Sequence, residues 1–478
     1  MTLKLYNTLV GEKETFEPLK DTVRIYSCGQ TIYEDMHVGN AKTYSAWDVL
    51  TRYLEWKGYQ IFHVMNITDV GHLTDDADEG EDKIAKSARE KELEPMELVT
   101  KQVIKFYIEM DKLNMCRANV FPRATGHMVE MMEAVKKMMD NGYAYEVNGS
   151  VYFDVPKFAE DYGYPVLGGR KVDDLLVGAG GRVSDQQLKE KRSPLDFALW
   201  IKAPPEHLMR WPSPWGEGYP GWHLECSVMG DKYLGKTFDI HAGGIDHIFP
   251  HHPNERAQNI AMNDLDEEPI KYWIHSSHIT VEGKKMSKSK GNYYTVEDLL
   301  KKYDPNVLRT FFAGIHYRSH SDFSLDALEE AEIKLDKMEN TIRLVHESQG
   351  GENDELADMI CRVRKEFQDA MDEDLNTPLA LSKLLAFSKQ INISLDNQKE
   401  MLEEAVDTLK ELSGVLGIEL QEKKEDINAG PYIDLLLSTR EILRSKKQFQ
   451  LADKIRDELQ SLGIEVEDAD NGSKWYRK

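Results

Sequence analysis

Residues 22–68, TVRIYSCGQTIYEDMHVGNAKTYSAWDVLTRYLEWKGYQIFHVMNIT, decide the fold. The segment begins with a β-branched and aromatic run, continues with apolar residues at helical spacing until Gly58, and closes with a second apolar run. This order of strand, helix and strand predicts a βαβ unit. A βαβ unit in turn predicts a parallel sheet with ligands at the carboxyl ends of its strands, as in nucleotide-binding folds.

The sheet is expected to resume at TFDIHAGG, residues 237–244, after a long insertion. The insertion contains a helical stretch that ends at residues 141–142 and an Asn148-Gly149 hairpin between two short strands. Residues 160–220 are rich in glycine and are predicted to be mostly loop. The predicted fold class is α/β: a split Rossmann-type parallel-sheet core with an inserted module, followed by an all-α helical domain and a small C-terminal α/β module.

Polar breaks at residues 348–354 and 421–431 suggest domain boundaries, because both stretches are poor in apolar residues. We expect a catalytic core of residues 1–120 and 202–285, an inserted connective module of 121–201, a basic loop and linking helical region of 286–347, a helical bundle of 348–420 and a terminal module of 432–478.

Composition limits the possible functions. The chain has 478 residues and a net charge of −24, which argues against a protein that coats nucleic acid or an anionic membrane, because such binding depends on Lys and Arg. No window offers the ~18 apolar residues of a membrane span. Four scattered cysteines without a C-x-x-C pair indicate a reducing compartment. We therefore expect a cytoplasmic protein with no membrane partner.

A first motif, His37-Val38-Gly39-Asn40, lies where the first strand gives way to the helix. Unpaired backbone N–H groups and the helix dipole favour phosphate at such a place. Gly39 would let a nucleotide lie against bare backbone. A polar turn that merely caps the helix also explains these four residues.

A second motif is the run KMSKS, residues 285–289, within the glycine-flanked segment EGKKMSKSKGN. Two ammonium groups on such a loop, Lys285 and Lys288, can clamp a polyphosphate. The alternative is a solvated basic loop.

In this order, the two motifs resemble the signatures of class I aminoacyl-tRNA synthetases. The resemblance implies activation of an amino acid by ATP with Mg²⁺: the amino acid carboxylate attacks the α-phosphate, and pyrophosphate leaves. His37 and Asn40 are then expected at the triphosphate, and Lys285 and Lys288 are expected at the leaving pyrophosphate. The implied nucleotide-binding residues are Gly39, Gly243, Gly244, Asp246 and Lys288. Without the two motifs, Asp246 would be interpreted as a helix N-cap.

Potential metal ligands occur at Cys226, His251 and Glu255, with His251 and Glu255 four residues apart on a predicted helix. Cys28 lies at the end of the first strand, so a sheet built from both halves would bring the two thiols together. Such a set would suit zinc. A structural role for the lone cysteines and the His251-His252 pair is the alternative.

The stretches YSCGQTIY, PGWHLECS, FDIHAGGID and FPHHPNE resemble the cysteinyl-tRNA synthetase family. The resemblance implies one Zn²⁺ per chain, with His252 not a ligand, and substrate contacts from Thr68, Trp222 and His241. The implied ligands are Cys28, Cys226, His251 and Glu255. Zinc favours thiolate over hydroxyl and can select cysteine over serine, which a purely hydrophobic pocket does poorly. Catalytic zinc usually has three protein ligands, so either the site expands on binding or Glu255 loosens.

Three features depart from the family pattern. Gln30 stands where the family usually has Pro, Lys42 stands where Arg is common, and residues 68–84, TDVGHLTDDADEGEDKI, replace a shorter segment. The acidic part of this segment has no recognisable register of cation ligands, so we assign no metal to it.

The last 47 residues resemble the family's anticodon-binding module. Residues 438–478 carry 9 basic and 8 acidic side chains, whereas residues 351–430 carry 9 basic and 19 acidic ones. A near-neutral module can meet phosphates despite the acidic background, although a solvated amphipathic helix explains much of the same charge. The candidate contacts to unstacked anticodon bases are Arg444, Asp453, Asp468 and Trp475.

As a whole, the resemblance implies a monomeric ligase. It would join L-cysteine to the 3′-terminal adenosine of tRNA(Cys) and release AMP and pyrophosphate. One rival is a ligase of the same fold that joins cysteine to an amino sugar, but that family lacks the anticodon module. Another is a silent tRNA-binding paralogue, which would be expected to lose the loop lysines or the thiol ligands.

Overall fold

The computed structural model describes residues 2–73, 81–169, 190–205, 207–281, 283–284, 292–422, 430–469 and 472–477. The chain divides into two compact units, Met1–Glu422 and Lys423–Lys478. Its strands are β1 (Lys4–Asn7), β2 (Glu12–Thr15), β3 (Thr22–Ser27), β4 (Gln60–Met65), β5 (Ala144–Val147), β6 (Ser150–Phe153), β7 (Phe197–Lys202), β8 (Trp211–Ser213), β9 (Gly216–Pro220), β10 (Phe238–Gly244), β11 (Ile270–Ser276), β12 (Ile279–Val281), β13 (Ser321–Phe323), β14 (Ile464–Ala469) and β15 (Gly472–Arg477).

The α-helices follow the same chain order. They are α1 (Val38–Trp56), α2 (Lys83–Glu90), α3 (Pro95–Lys112), α4 (Met128–Asp140), α5 (Val155–Tyr162), α6 (Trp222–Leu234), α7 (His251–Asn263), α8 (Val296–Leu300), α9 (Pro305–Ala313), α10 (Leu325–Glu347), α11 (Leu356–Asp372), α12 (Thr377–Ile393), α13 (Lys399–Val415), α14 (Gly430–Ser445) and α15 (Phe449–Ser461). None of the helices in the described ranges is long and apolar enough to cross a membrane.

The centre of the first unit is a four-stranded parallel sheet in the order β11-β10-β3-β4. The βαβ unit predicted from residues 22–68 is present as β3, α1 and β4. From β3 the chain passes through α1 to β4, and from β10 it passes through α7 to β11, so the two halves diverge from the middle of the sheet. Ligands bind at this kind of topological switch point, beyond the carboxyl ends of the two central strands.

An antiparallel sheet in the order β5-β6-β7-β9-β8 is inserted between the two halves of the parallel sheet. The predicted 148–149 turn joins β5 and β6, with positive φ at Asn148 and Gly149. The sheet continues to Pro220, whereas the sequence placed the end of the inserted module at residue 201 and mostly loop from 160 to 220. The extra strands, β7, β8 and β9, lead directly into α6.

Four helices, α10 to α13, pack together after the parallel sheet. Ser324 caps α10 and Asn376 caps α12, each by accepting a backbone N–H in the first turn. The sequence assigned residues 325–347 to the linking region, but α10 packs with α12 and α13 as part of the bundle. One hydrophobic core runs from the parallel sheet into these helices.

Buried charge also joins the sheet region to the bundle. Arg309 of α9 pairs with Asp48 of α1 and donates to the backbone oxygen of Leu416 at 2.9 Å. Arg52 approaches the same Asp48 carboxylate at 2.9 Å.

The second unit contains the helices α14 and α15, which pack together, and an antiparallel hairpin of β14 and β15. Its small core consists of apolar side chains from all four elements: Ile433, Leu437, Ile455, Leu459, Ile464, Val466 and Trp475. The unit is thus a small α/β module, as the sequence predicts.

Candidate metal centre and active site

Cys28 and Ala242, both buried, lie at the carboxyl ends of the two central strands, β3 and β10. Cys28 follows β3, and its backbone N–H donates to the oxygen of Ala242 in β10 at 2.9 Å. A Cβ atom at Gly29 would lie 1.8 Å from the backbone oxygen of Asn66. Only glycine lets the chain pass this close to the end of β4, and this approach fixes where Cys28 enters the site.

The ligand atoms of Cys28, Cys226, His251 and Glu255 all lie within 4.8 Å of one another. The residues come from separate elements: α6 carries Cys226, and the first turns of α7 carry His251 and Glu255. All four are buried. The structure therefore brings together the four residues that the sequence singled out, across almost 230 residues of chain.

A second set, Cys28, His241, His252 and Glu255, satisfies the same distance limit. His252 Nε2 lies 3.4 Å from Cys28 Sγ, although the resemblance excludes His252 as a ligand. His252 Nδ1 in turn lies 2.8 Å from His275 Nε2. Neither contact could be predicted from sequence spacing, because the partners of His252 lie on other elements: Cys28 follows β3, and His275 belongs to β11.

The electrostatics favour anionic ligands at this site. Burial opposes ionisation of Cys28, but a hydrogen bond from Cys226 and nearby histidines hold the pKa of Cys28 well below its usual value. Burial also opposes ionisation of Glu255, yet His241 and His251 lower the pKa of Glu255 to about 2. Burial and the hydrogen bond to Cys28 raise the pKa of Cys226. These shifts favour the anionic forms of Cys28 and Glu255, which lie beside the Cys226 thiol that a bound cation would deprotonate.

This donor set fits zinc. Two sulfur atoms, one imidazole nitrogen and one carboxylate oxygen in a buried tetrad match the ligand types and the number that Zn²⁺ takes, whereas Mg²⁺ and Ca²⁺ prefer oxygen ligands. A neighbouring histidine completes the arrangement: His223 Nδ1 lies 2.7 Å from His251 Nδ1.

Two of the predicted substrate residues, His241 and Trp222, contact the tetrad, and the third, Thr68, contacts a neighbour of Cys226. His241 Nε2 lies 2.7 Å from Glu255 Oε2. The indole of Trp222, the first residue of α6, lies with its ring centre 4.3 Å from that of His251. Thr68 is buried and donates its hydroxyl hydrogen to Glu225. Burial raises the pKa of Glu225 well above its usual value. Glu225 was not predicted from the sequence, although it lies beside Cys226 in the run PGWHLECS.

The first motif forms a helix cap in this structure. His37 Nδ1 accepts the backbone N–H groups of Gly39 at 3.1 Å and Asn40 at 3.2 Å, and Asn40 Oδ1 accepts the His37 N–H at 3.3 Å. This reciprocal arrangement is a capping box at the start of α1. His37 and Asn40 thus cap α1 in this structure. The N-terminus that they cap is also a place that favours phosphate.

The second motif, with Lys285 and Lys288, lies outside the described residues. The chain that follows it is joined to the first motif. Val38 N donates to Tyr294 O at 3.0 Å, and Val296 N donates to Met36 O at 2.8 Å. These bonds hold residues 294–296 beside the first motif.

The glycines after β10 have different surroundings. A Cβ at Gly243 would lie 2.7 Å from His252 Cε1, whereas a Cβ at Gly244 would meet nothing within 4 Å. Asp246 lies on a 3-10 turn, with Oδ1 3.1 Å from His278 Nε2. Helix α7 begins later with Pro250 at its N-cap, so the N-cap interpretation of Asp246 is not observed for that helix.

Comparison with known proteins identifies the family. Residues 15–333 match the model for the class I (C) tRNA synthetase catalytic domain, and residues 366–421 match the DALR domain. The chain is 43% identical to cysteine–tRNA ligase from Bacteroides fragilis, over 99% of this chain and 98% of that protein. It is also 43% identical to the Thermus thermophilus enzyme, over 99% of each chain.

This chain belongs to the cysteine–tRNA ligase family. It is an aminoacyl-tRNA synthetase, and hence a ligase. Among solved structures, it is similar to Mycobacterium tuberculosis methionyl-tRNA synthetase in complex with methionyl-adenylate, with a TM-score of 0.56, 14% identity and coverage of 87% of this chain and 94% of that chain. A putative arginyl-tRNA synthetase from Campylobacter jejuni gives a TM-score of 0.54 at 12% identity, covering 85% and 95%. At such identities the likeness shows the fold, and it confirms the predicted class.

In the second unit of this synthetase, the four predicted anticodon residues lie on different elements. Arg444 is in the last turn of α14, Asp453 is exposed on α15, and Asp468 belongs to β14. Trp475 packs against the small core, and its indole N–H donates to Asp434 Oδ1 at 2.8 Å. Trp475 therefore has a packing role within the unit.

Proposed function

We propose that this synthetase joins L-cysteine to tRNA(Cys) in two steps at the carboxyl ends of β3 and β10. In the first step, a carboxylate oxygen of cysteine attacks the α-phosphate of ATP, an acyl–phosphate bond forms, and the α–β phosphoanhydride bond breaks to release pyrophosphate. In the second step, a hydroxyl of the 3′-terminal adenosine of tRNA attacks the acyl carbon, and AMP leaves. Neither step needs a protein nucleophile.

The observation that carries the proposal is the buried tetrad of Cys28, Cys226, His251 and Glu255 beside Trp222. These four side chains would hold one Zn²⁺, which supplies a thiolate-selective acceptor for the substrate side chain. His252 is the alternative ligand, but it lies against His275 at 2.8 Å on its other nitrogen, which suits a supporting position. Thr68, Trp222 and His241 would line the space for cysteine.

ATP with Mg²⁺ would lie between the two signature motifs. The N-terminus of α1, formed by His37, Gly39 and Asn40, offers the positive end of a helix dipole to the triphosphate. Lys285 and Lys288 would neutralise charge that develops on the leaving pyrophosphate. The nucleoside would lie along Gly243, Gly244 and Asp246, and a Cβ at Gly244 would meet nothing within 4 Å.

The second unit, residues 432–478 in the sequence prediction, would contact the anticodon. Its proposed contacts are Arg444, Asp453, Asp468 and Trp475, although the packing of Trp475 makes Arg444 and Asp453 the better supported pair. We further propose that the chain acts as a monomer in the cytoplasm, a location supported by four cysteines without a disulfide bond.

The test is cysteine-dependent ATP–pyrophosphate exchange by the full chain, with and without a metal chelator. Cys226→Ser is expected to reduce exchange at least tenfold and to lower bound zinc, because the hydroxyl is a poor zinc ligand. Cys361→Ser is the matched control, since that thiol is exposed on α11, outside the tetrad. Lys288→Ala is expected to slow exchange while zinc stays bound. Undiminished exchange in Cys226→Ser, or in the chelated enzyme after verified zinc loss, would contradict the proposal.

A further inference from the structure

The long segment after Thr68 contributes a side chain to the active site. The ring of His72 is stacked on the indole of Trp222, with centres 4.0 Å apart and planes at 10°. The same indole also contacts His251, with ring centres 4.3 Å apart. The three rings thus form a continuous series from the segment that departs from the family pattern to the proposed zinc ligand.

The position of His72 is fixed by the backbone around it. Gly71 has φ of +78°, and a Cβ there would lie 2.6 Å from the backbone oxygen of Pro220. Its N–H donates to Asp82 Oδ2 at 2.9 Å, and Lys83 N donates to His72 O at 2.9 Å. The two ends of the segment are therefore joined to each other and pass close to Pro220, the last residue of β9.

Hydrogen bonds on both ring nitrogens also fix the orientation of the imidazole. His72 Nε2 lies 2.8 Å from Lys83 Nζ, and His72 Nδ1 lies 2.6 Å from Thr31 Oγ1. A lysine ammonium only donates, so Nε2 must accept and Nδ1 carries the hydrogen that it donates to Thr31. This tautomer and these partners hold the ring plane parallel to the indole.

A rigid indole matters because zinc alone does not define the substrate. A thiolate-selective metal rejects serine, but homocysteine also offers a thiol and differs from cysteine by one methylene. Only the walls of the pocket can exclude that methylene, and such exclusion is sensitive to how firmly a wall is held.

We propose that His72 is a positioning residue that holds Trp222 against His251 and thereby limits the amino acid pocket to the length of cysteine. This inference rests on the proposed function, which places cysteine between the zinc site and Trp222. It assigns a role to His72 within the segment after Thr68: size selection among thiol amino acids.

The test measures kcat/KM in ATP–pyrophosphate exchange with cysteine, homocysteine and serine. His72→Ala is expected to raise homocysteine use relative to cysteine at least tenfold, while the cysteine-to-serine ratio and bound zinc stay within twofold. His72→Phe, which keeps a stacked ring, is expected to restore discrimination against homocysteine. His207→Ala is the matched control, because His207 stacks on Tyr219 at 4.2 Å and 9°.

An unchanged cysteine-to-homocysteine ratio in a folded His72→Ala protein would overturn the inference, as would an equal change in the control. Should His72→Ala fail to fold by circular dichroism, His72→Leu replaces it under the same criteria. Failure of the proposed function would look different: Cys226→Ser would discriminate against serine as well as the native protein does, whatever happens at His72.

Discussion

The Nδ1 atoms of His223 and His251 lie 2.7 Å apart in the buried site. At this distance one ring donates and the other accepts. Burial and the neighbouring His251 lower the pKa of His223 well below its usual value. His251 Nε2 faces Glu255 Oε1 at 3.0 Å. When His251 binds a metal through Nε2, its hydrogen must lie on Nδ1, which then donates to His223.

This relationship predicts that His223 controls metal affinity without binding the metal. In His223→Leu the His251 ring loses its acceptor, so we expect zinc affinity to fall about 10- to 100-fold, as for other partners of metal-bound histidines. Competition with a chromophoric chelator measures the change. His127→Leu is the control, because His127 is a buried histidine that bonds to Arg123 and Tyr233 instead. Equal zinc affinities in the native protein and His223→Leu would refute the role.

The capping box at the start of α1 predicts that the two roles of His37 can be separated. His37→Asn keeps a side chain that caps well, so the free energy of unfolding is expected to stay within about 0.5 kcal/mol of the native value. His37→Ala removes the cap and should cost about 1 kcal/mol. Both variants should reduce kcat for ATP–pyrophosphate exchange at least tenfold, because both lack the imidazole. Full activity in His37→Asn would show that capping is its only role.

Much of the parallel sheet could be predicted from local sequence. The βαβ unit and the 148–149 turn depend on periodicity and turn residues within short windows. The strands β7 to β9 could not be predicted, because β8 and β9 are short, contain Pro and Gly, and exist through pairing with each other and with β7.

The candidate site divides in the same way. Cys28, Cys226, His251 and Glu255 were predicted from their metal-ligand chemistry and from the resemblance of the stretches around them to a known family. The contacts of His72 with Trp222 and of His223 with His251 join positions 150 and 28 residues apart, and neither spacing has a periodic signal. These two ring contacts depend on the tertiary structure, because the position of α6 brings Trp222 and His223 to their partners.

Glu109 predicts a pH-dependent stability. Burial in α3 raises the pKa of Glu109 from 4.5 to about 7, although Lys105 opposes the shift and Asp35 adds to it. Between pH 4.5 and 7 the folded protein therefore binds more protons here than the unfolded chain, and this site makes stability fall as pH rises through that window. Above pH 7 the loss in free energy of unfolding from this site is complete.

Glu109→Gln removes this titration and keeps an acceptor for the N–H of Met36, which bonds to Glu109. We expect the variant to gain about 1–2 kcal/mol over the native protein at pH 8 and little at pH 4.5, after allowance for screening. Urea unfolding at the two pH values measures the difference. Glu97→Gln is the control, because Glu97 is an exposed residue of the same helix. A gain independent of pH would contradict the prediction.

Gly417 and Gly414 predict opposite effects of one substitution at the junction between the sheet region and the bundle. Gly417 has φ of +73°, and a Cβ there would lie 1.6 Å from Arg309 Nη2, the atom that bonds to Asp48 and Leu416. Gly417→Ala must displace this buried guanidinium, so we expect a loss of about 3 kcal/mol or more. A Cβ at Gly414, inside α13, would meet nothing within 4 Å. Gly414→Ala is therefore expected to stabilise by about 0.5–1 kcal/mol through helix propensity. Thermal unfolding of both variants measures the contrast, and a Gly417→Ala protein as stable as Gly414→Ala would show that Arg309 does not constrain this turn.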